Sequence, residues 1–112
     1  MPADINLEID CQSIRTRLQT GEPGLLLDCR EPDEHAVANI AGAVLLPMGE
    51  LPERLNELEA YRQAPLAVHC HHGGRSLKVA RWLRQNGFAQ AQSMAGGIDE
   101  WSREIDPSVP RY

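Results

Sequence analysis

A cysteine in a short glycine-containing loop is the residue of this sequence best suited to covalent chemistry. The loop reads Cys70-His71-His72-Gly73-Gly74-Arg75 and is followed by Ser76. A thiolate is a strong nucleophile, and the unpaired N–H groups of a helix N-terminus favour the charged form of a nearby thiol. Gly73 and Gly74 allow the backbone to take positive φ and turn its N–H groups inwards. The sequence therefore predicts an anion-binding cradle around the Cys70 sulfur.

The other side chains of this loop are candidates for substrate binding. Arg75 carries a permanent charge and a planar fork of donors, so we expect it to bind an anion, the alternative being an ion pair at the start of the helix. His71 and His72 are adjacent, so their side chains should diverge, and at most one should face the substrate. Arg30 is a possible second anion contact, although an ion pair with nearby carboxylates is the simpler interpretation. The predicted substrate-binding set is His71, His72, Gly73, Gly74, Arg75 and Ser76.

Such a site suits sulfur transfer in two half-reactions. An anionic donor such as thiosulfate docks on Arg75, the Cys70 thiolate attacks its outer sulfur, and sulfite leaves. The persulfide that forms is itself an anion, so the same N–H groups hold it until a thiophilic acceptor takes the sulfur. Covalent catalysis of this kind predicts ping-pong kinetics.

Alternating apolar runs and helical patterns position the loop. Short continuous apolar runs at 25–27 and 66–68 are typical of strands buried on both faces, and 44–46 and 91–94 would be further strands. Helical patterns cover 11–20, the region of Leu51 to Leu58, 76–86 and 98–104. The alternation predicts an α/β fold with an open, mostly parallel sheet and helices on both faces. In such sheets ligands bind beyond the carboxyl ends of the strands, which is where Cys70 lies.

Composition limits the classes of function. The chain has 112 residues, which predicts one domain over 1–112, and its net charge of −5 argues against nucleic acid or an anionic membrane as partner. No apolar run approaches the roughly 20 residues needed to cross a bilayer, and 1–10 lacks the pattern of a signal peptide. We therefore expect a cytoplasmic protein, with nothing that demands more than a monomer. Three cysteines, an odd number, do not indicate a disulfide framework.

Three stretches resemble the motifs of the rhodanese-like domain family. The pattern Cys-x-x-Gly-x-Arg-Ser at 70–76 resembles the family's active-site signature. Residues 28–35, continuing to 40–43, resemble its upstream motif, and 96–101 resemble its C-terminal motif. The three occur in family order and span most of the chain from Leu25 to Trp101. One departure is Ala38-Asn39, where the family often has Gly-His before the isoleucine.

The resemblance implies a five-stranded rhodanese-like sheet and a thiosulfate sulfurtransferase that works through a Cys70 persulfide, with no cofactor and no metal. The loop at 70–76 differs from the Cys-Gly-x-Gly-Val-Thr type that the family associates with mercaptopyruvate. This difference favours thiosulfate or a protein persulfide as the sulfur donor. Cyanide, a thiol or a sulfur-carrier protein would be the acceptor. The segment 105–110 resembles the tail of rhodanese domains fused to adenylating enzymes of sulfur-carrier pathways.

Three other functions stay open at this point. A phosphatase or arsenate reductase also uses a loop cysteine, but its pattern is Cys-x5-Arg, whereas four residues separate Cys70 from Arg75. A non-catalytic binding module would usually have lost the nucleophile. A metal site at His69 to His72 is disfavoured because four consecutive residues cannot close a tetrahedral shell.

Overall fold

A five-stranded parallel sheet forms the centre of the molecule in the computed structural model, which describes residues 6–112. Its strands are Glu8–Ile9 (β1), Leu25–Asp28 (β2), Val44–Leu45 (β3), Leu66–His69 (β4) and Ala91–Met94 (β5). They lie in the order β1-β5-β4-β2-β3, and all four ladders are parallel. The predicted open parallel sheet with five strands is confirmed. The two-residue strand β1 was not predicted because it is too short for a hydrophobic pattern.

Within residues 6–112, five α-helices accompany the strands: Cys11–Thr20 (α1), Pro32–Val37 (α2), Leu51–Arg54 (α3), Gly74–Gln85 (α4) and Gly97–Glu104 (α5). Short 3-10 segments cover Met48–Glu50 and Leu55–Tyr61. The segment predicted as one helix after Leu51 is thus a single α-helical turn that continues as a 3-10 helix. Helix α4 begins two residues earlier than predicted because Gly73, with φ of 110°, is its N-cap.

The two faces of the sheet bury separate apolar clusters. Leu27 and Val68 face the cluster that includes Val79 and Leu83 of α4. Leu26 and Ala67 face the other cluster, together with residues of α1 and α5: Cys11, Ile14, Ile98 and Trp101. Adjacent strand residues therefore point to opposite cores, which is why the strands read as continuous apolar runs. The predicted placement of helices on both faces is confirmed.

The expectation that 1–10 is not a signal peptide concerns a stretch of which residues 1–5 lie outside the described residues. Within residues 6–112, no helix has the combination of length and apolar character that spanning a bilayer requires.

Candidate active site

The nucleophile candidate Cys70 lies between the carboxyl end of β4 and the first turn of α4. Its Sγ accepts hydrogen bonds from the backbone N–H of Gly73 at 3.1 Å and of Ser76 at 3.3 Å. The left-handed backbone of Gly73 turns the loop back so that these amides face the sulfur. Cys70 is only 1% exposed, so water competes little for the sulfur's hydrogen bonds. The arrangement favours a negative charge on Sγ.

A pair of buried serines fixes the floor of this cradle. The hydroxyl of Ser76 lies 3.4 Å from Sγ and 2.7 Å from the hydroxyl of Ser93 on β5, and it contacts the Gly73 carbonyl at 3.2 Å. Both serines are fully buried. Buried hydroxyl groups that are bonded to one another resist displacement, so the start of α4 is held in place under the sulfur. Sequence reasoning missed Ser93 because a serine in a strand gives no local signal of such a partner.

The C-terminal motif at 96–101 anchors the outer part of the loop. The first amides of α5 bind the loop carbonyls: Ile98 N–H donates to Cys70 at 2.9 Å and Asp99 N–H to His71 at 3.1 Å. Gly97 has φ of 62°, and a Cβ there would collide with those two carbonyls. Only glycine therefore allows α5 to approach the loop this closely.

Arg75 lies at the rim of the site and is paired with Glu34. Its Nη1 and Nη2 donate to the two carboxylate oxygens of Glu34 at 2.7 and 2.8 Å. The same carboxylate accepts from the Glu31 N–H at 3.1 Å and from the Tyr112 hydroxyl at 2.9 Å. The bonds from Arg75, above all, lower the pKa of Glu34 to about 2, and the pKa of Arg75 is raised in turn. Arg75 therefore forms an ion pair at the start of α4, which was the alternative to anion binding.

Glu34 is held in position by its own short helix. Pro32 occupies the first turn of α2, and Glu31 and Glu34 form a reciprocal capping box at its N-terminus. Both features are readable in the sequence as a helix start signal, and they could have predicted α2. They could not have shown that Glu34 meets Arg75.

Arg30 does not serve as a second anion contact, which corrects that expectation. Its Nε and Nη2 bind the two oxygens of Asp28 at 2.8 and 2.7 Å. The remaining donors go to the carbonyls of Ala38 at 2.6 Å and Glu34 at 3.3 Å and to the Tyr112 hydroxyl at 2.8 Å. A guanidinium has five N–H donors, and all five are used within the protein. Arg30 and Asp28 are both fully buried, so the pair is part of the framework.

The two loop histidines do not diverge as expected. Their ring centroids lie only 3.9 Å apart, with the ring planes tilted by 58°. His71 also stacks on Tyr112, with centroids 3.9 Å apart and ring planes 7° from parallel. His71 Nε2 is buried and has no hydrogen-bond partner within 6–112, whereas His72 is exposed. Sequence reasoning missed Tyr112, which contacts His71, Arg30 and Glu34 together.

No group of three or more His, Cys, Asp or Glu side chains within residues 6–112 is arranged to hold a metal ion. His69, the first member of the histidine cluster, is fully buried, and burial lowers its pKa to about 4. It is therefore neutral at physiological pH.

Comparison with known proteins agrees with the fold. The Rhodanese-like domain family matches residues 10–104, so the chain belongs to this family. A sulfurtransferase of Allochromatium vinosum is 36% identical over 102 residues, which is 91% of this chain and 94% of that protein. The adenylyltransferase and sulfurtransferase MOCS3-1 of Zea mays is 34% identical over 93% of this chain, but the match covers only 23% of that protein. The chain thus spans about a quarter of the length of these larger relatives.

Solved structures show the same architecture. A rhodanese-related protein of Thermoplasma volcanium is 31% identical and superposes with a TM-score of 0.79, covering 96% of this chain and all of that one. The human single-domain sulfurtransferase TSTD1 is 25% identical with a TM-score of 0.75, covering 88% of this chain and 97% of that one. The chain is a member of a family of sulfurtransferases and sulfur carriers.

Proposed function

We propose that this protein moves sulfane sulfur from a small or protein-bound donor to a thiophilic acceptor through a persulfide on Cys70. The observation that carries the proposal is the cradle at Sγ, in which the amides of Gly73 and Ser76 point at one sulfur atom. These amides stabilise a negative charge on the thiolate before reaction.

In the first half-reaction, the Cys70 thiolate attacks the outer sulfur of thiosulfate. A new S–S bond forms, the S–S bond of thiosulfate breaks, and sulfite leaves with the bonding electron pair. A protein persulfide donor reacts in the same way, with a thiolate as the leaving group. Arg75 binds the anionic sulfur donor with the guanidinium N–H groups that are not used in the two bonds to Glu34.

In the second half-reaction, an acceptor attacks the outer sulfur of the persulfide. The persulfide is an anion, so it stays in the field of the loop amides and the α4 N-terminus until the acceptor arrives. Cyanide would leave as thiocyanate, and a thiol, whether on a small molecule or on a carrier protein, would leave as a persulfide, with the Cys70 thiolate as the leaving group in each case. A role in carrying sulfur is supported by YrkF of Bacillus subtilis, described as a putative sulfur carrier protein, which is 32% identical over 88% of this chain.

The proposal is tested by measuring thiocyanate formation from thiosulfate and cyanide with the wild type and with Cys70→Ser. Cys11→Ser is the matched control, because Cys11 is equally buried on the other face of the sheet. We expect activity in wild type and Cys11→Ser and none in Cys70→Ser. Turnover by Cys70→Ser, or release of phosphate from an aryl phosphate by the wild type, would point to other chemistry.

A further inference from the structure

Cys29 and Cys70 occupy matching positions, each directly after the carboxyl end of one of two neighbouring parallel strands. Asp28 of β2 is paired with His69 of β4, and Cys29 N–H donates to the His69 carbonyl at 3.1 Å. Each cysteine follows directly after one member of that pair. Neighbouring strands lie about 4.8 Å apart, within the roughly 4.4–6.8 Å that a disulfide requires between its Cα atoms.

Both cysteine side chains point to the same face of the sheet. Cys29 and Cys70 belong to one apolar cluster, together with Leu27 and Val68 two positions earlier on their strands. Both thiols are free and each is 1% exposed. A negative charge on Cys70 also raises the pKa of Cys29, after the larger effect of burial, so the two sulfurs lie within electrostatic reach. Cys29 is therefore placed to react with whatever forms on Cys70.

From this register we propose that Cys29 is a resolving thiol, which discharges an unused Cys70 persulfide as hydrosulfide and leaves a Cys29–Cys70 disulfide. The inference rests on the proposed function, since that function supplies the persulfide. Cys29 attacks the inner sulfur of the persulfide, a Cys29–Cys70 bond forms, and the bond to the outer sulfur breaks. The outer sulfur leaves with the electron pair and takes up the Cys29 proton as HS⁻. The Cys29 sulfur is oxidised and the outer sulfur of the persulfide is reduced, so no further oxidant is needed.

The step is slow compared with transfer to a good acceptor. Burial raises the pKa of Cys29 to about 12, so at neutral pH very little of it is thiolate. Thiol–disulfide exchange requires the thiolate, and the rate should therefore rise with pH. The disulfide forms only when no acceptor takes the sulfur from the persulfide. It then protects Cys70 from irreversible oxidation until a thiol reduces the disulfide.

The experiment follows a persulfide that has no acceptor. Protein is loaded with thiosulfate, freed of donor, and incubated while released hydrosulfide and intact mass are measured. Wild type should release one equivalent of hydrosulfide and end two hydrogens lighter than the reduced protein, with peptide mapping joining Cys29 to Cys70. Cys29→Ala should keep its extra sulfur, with release slowed about tenfold or more. Cys11→Ser is the matched control, because burial also raises the pKa of Cys11 to about 12 although it lies in the other core.

Two results overturn the inference. One is loss of sulfur from Cys29→Ala at the wild-type rate, with folding verified by circular dichroism and thermal unfolding. The other is a wild-type persulfide that stays intact. If no persulfide forms at all, the proposed function fails with it, whereas a loaded protein that forms no disulfide contradicts this step alone. Treatment of the unloaded protein with diamide tests the pairing separately: a Cys29–Cys70 disulfide is expected in wild type and Cys11→Ser.

Discussion

The guanidinium of Arg75 is bound by both carboxylate oxygens of Glu34, at 2.7 and 2.8 Å. The permanent charge of the loop is thus already partnered. An anionic donor must share Arg75 with Glu34 or displace it. Glu34 therefore sets how strongly the site attracts small anions, and this relationship gives the first two predictions.

Glu34→Gln should strengthen thiosulfate binding. The amide keeps a hydrogen-bonding oxygen but removes the charge that competes with the donor. This partly buried ion pair contributes about 1 kcal/mol, so we expect KM for thiosulfate to fall about fivefold. Steady-state kinetics measure it, with Glu53→Gln as a control because it changes net charge equally from an exposed position. An unchanged or higher KM in Glu34→Gln would show that Arg75 and Glu34 have only a structural role.

Arg75→Gln should weaken thiosulfate use. Loss of one charge-assisted hydrogen bond costs about 1.5–3 kcal/mol, which corresponds to a fall in kcat/KM of about 10- to 100-fold. Arg75→Lys keeps the charge without the planar fork and should retain an intermediate activity. Wild-type kcat/KM in both variants would remove Arg75 from the site.

Asp28→Asn should destabilise the fold rather than the chemistry. Asp28 and Arg30 form a fully buried ion pair at 2.7 Å, and removal of one partner leaves a buried charge without compensation. Such losses cost about 3–5 kcal/mol, measurable as the free energy of unfolding in urea. A loss below about 1 kcal/mol would show that Arg30 finds other partners.

The same ion pair predicts how stability depends on pH. Burial alone would raise the pKa of Asp28, but the bonds from Arg30, together with smaller effects of His69 and His35, outweigh it and lower the pKa from 3.8 to about 2. A depressed carboxyl pKa contributes stability that is complete above its unfolded value and is lost as pH falls through its folded value. The wild type should therefore lose unfolding free energy between pH 4 and pH 2, and Asp28→Asn should lose less. Parallel pH profiles for the two proteins would contradict this assignment.

Gly97→Ala should disturb the catalytic loop. The added Cβ collides with the carbonyls of Cys70 and His71, and the positive φ disfavours a side chain. We expect lower stability together with loss of sulfur transfer. Thermal unfolding measures the first effect, and thiocyanate formation measures the second. Gly49→Ala serves as the control because a Cβ there meets no atom within 4 Å. Equal behaviour of the two variants would show that α5 does not hold the loop.

The sequence predicted the features that depend on neighbouring residues. Apolar runs located β2 and β4, and the glycines after Cys70 indicated a turn into a helix. The contacts that complete the site join distant residues: Arg75 and Glu34 are 41 positions apart, and Ser76 and Ser93 are 17 apart. Side-chain pairing across elements follows from the three-dimensional packing, which no local pattern encodes.

The most direct test of the account is intact mass after a single treatment with thiosulfate, on wild type and Cys70→Ser. The account predicts that the wild type gains the mass of one sulfur atom, that cyanide removes it, and that Cys70→Ser gains nothing. Sulfur gained by Cys70→Ser, or none gained by the wild type from thiosulfate or from a protein persulfide, would contradict a persulfide on Cys70.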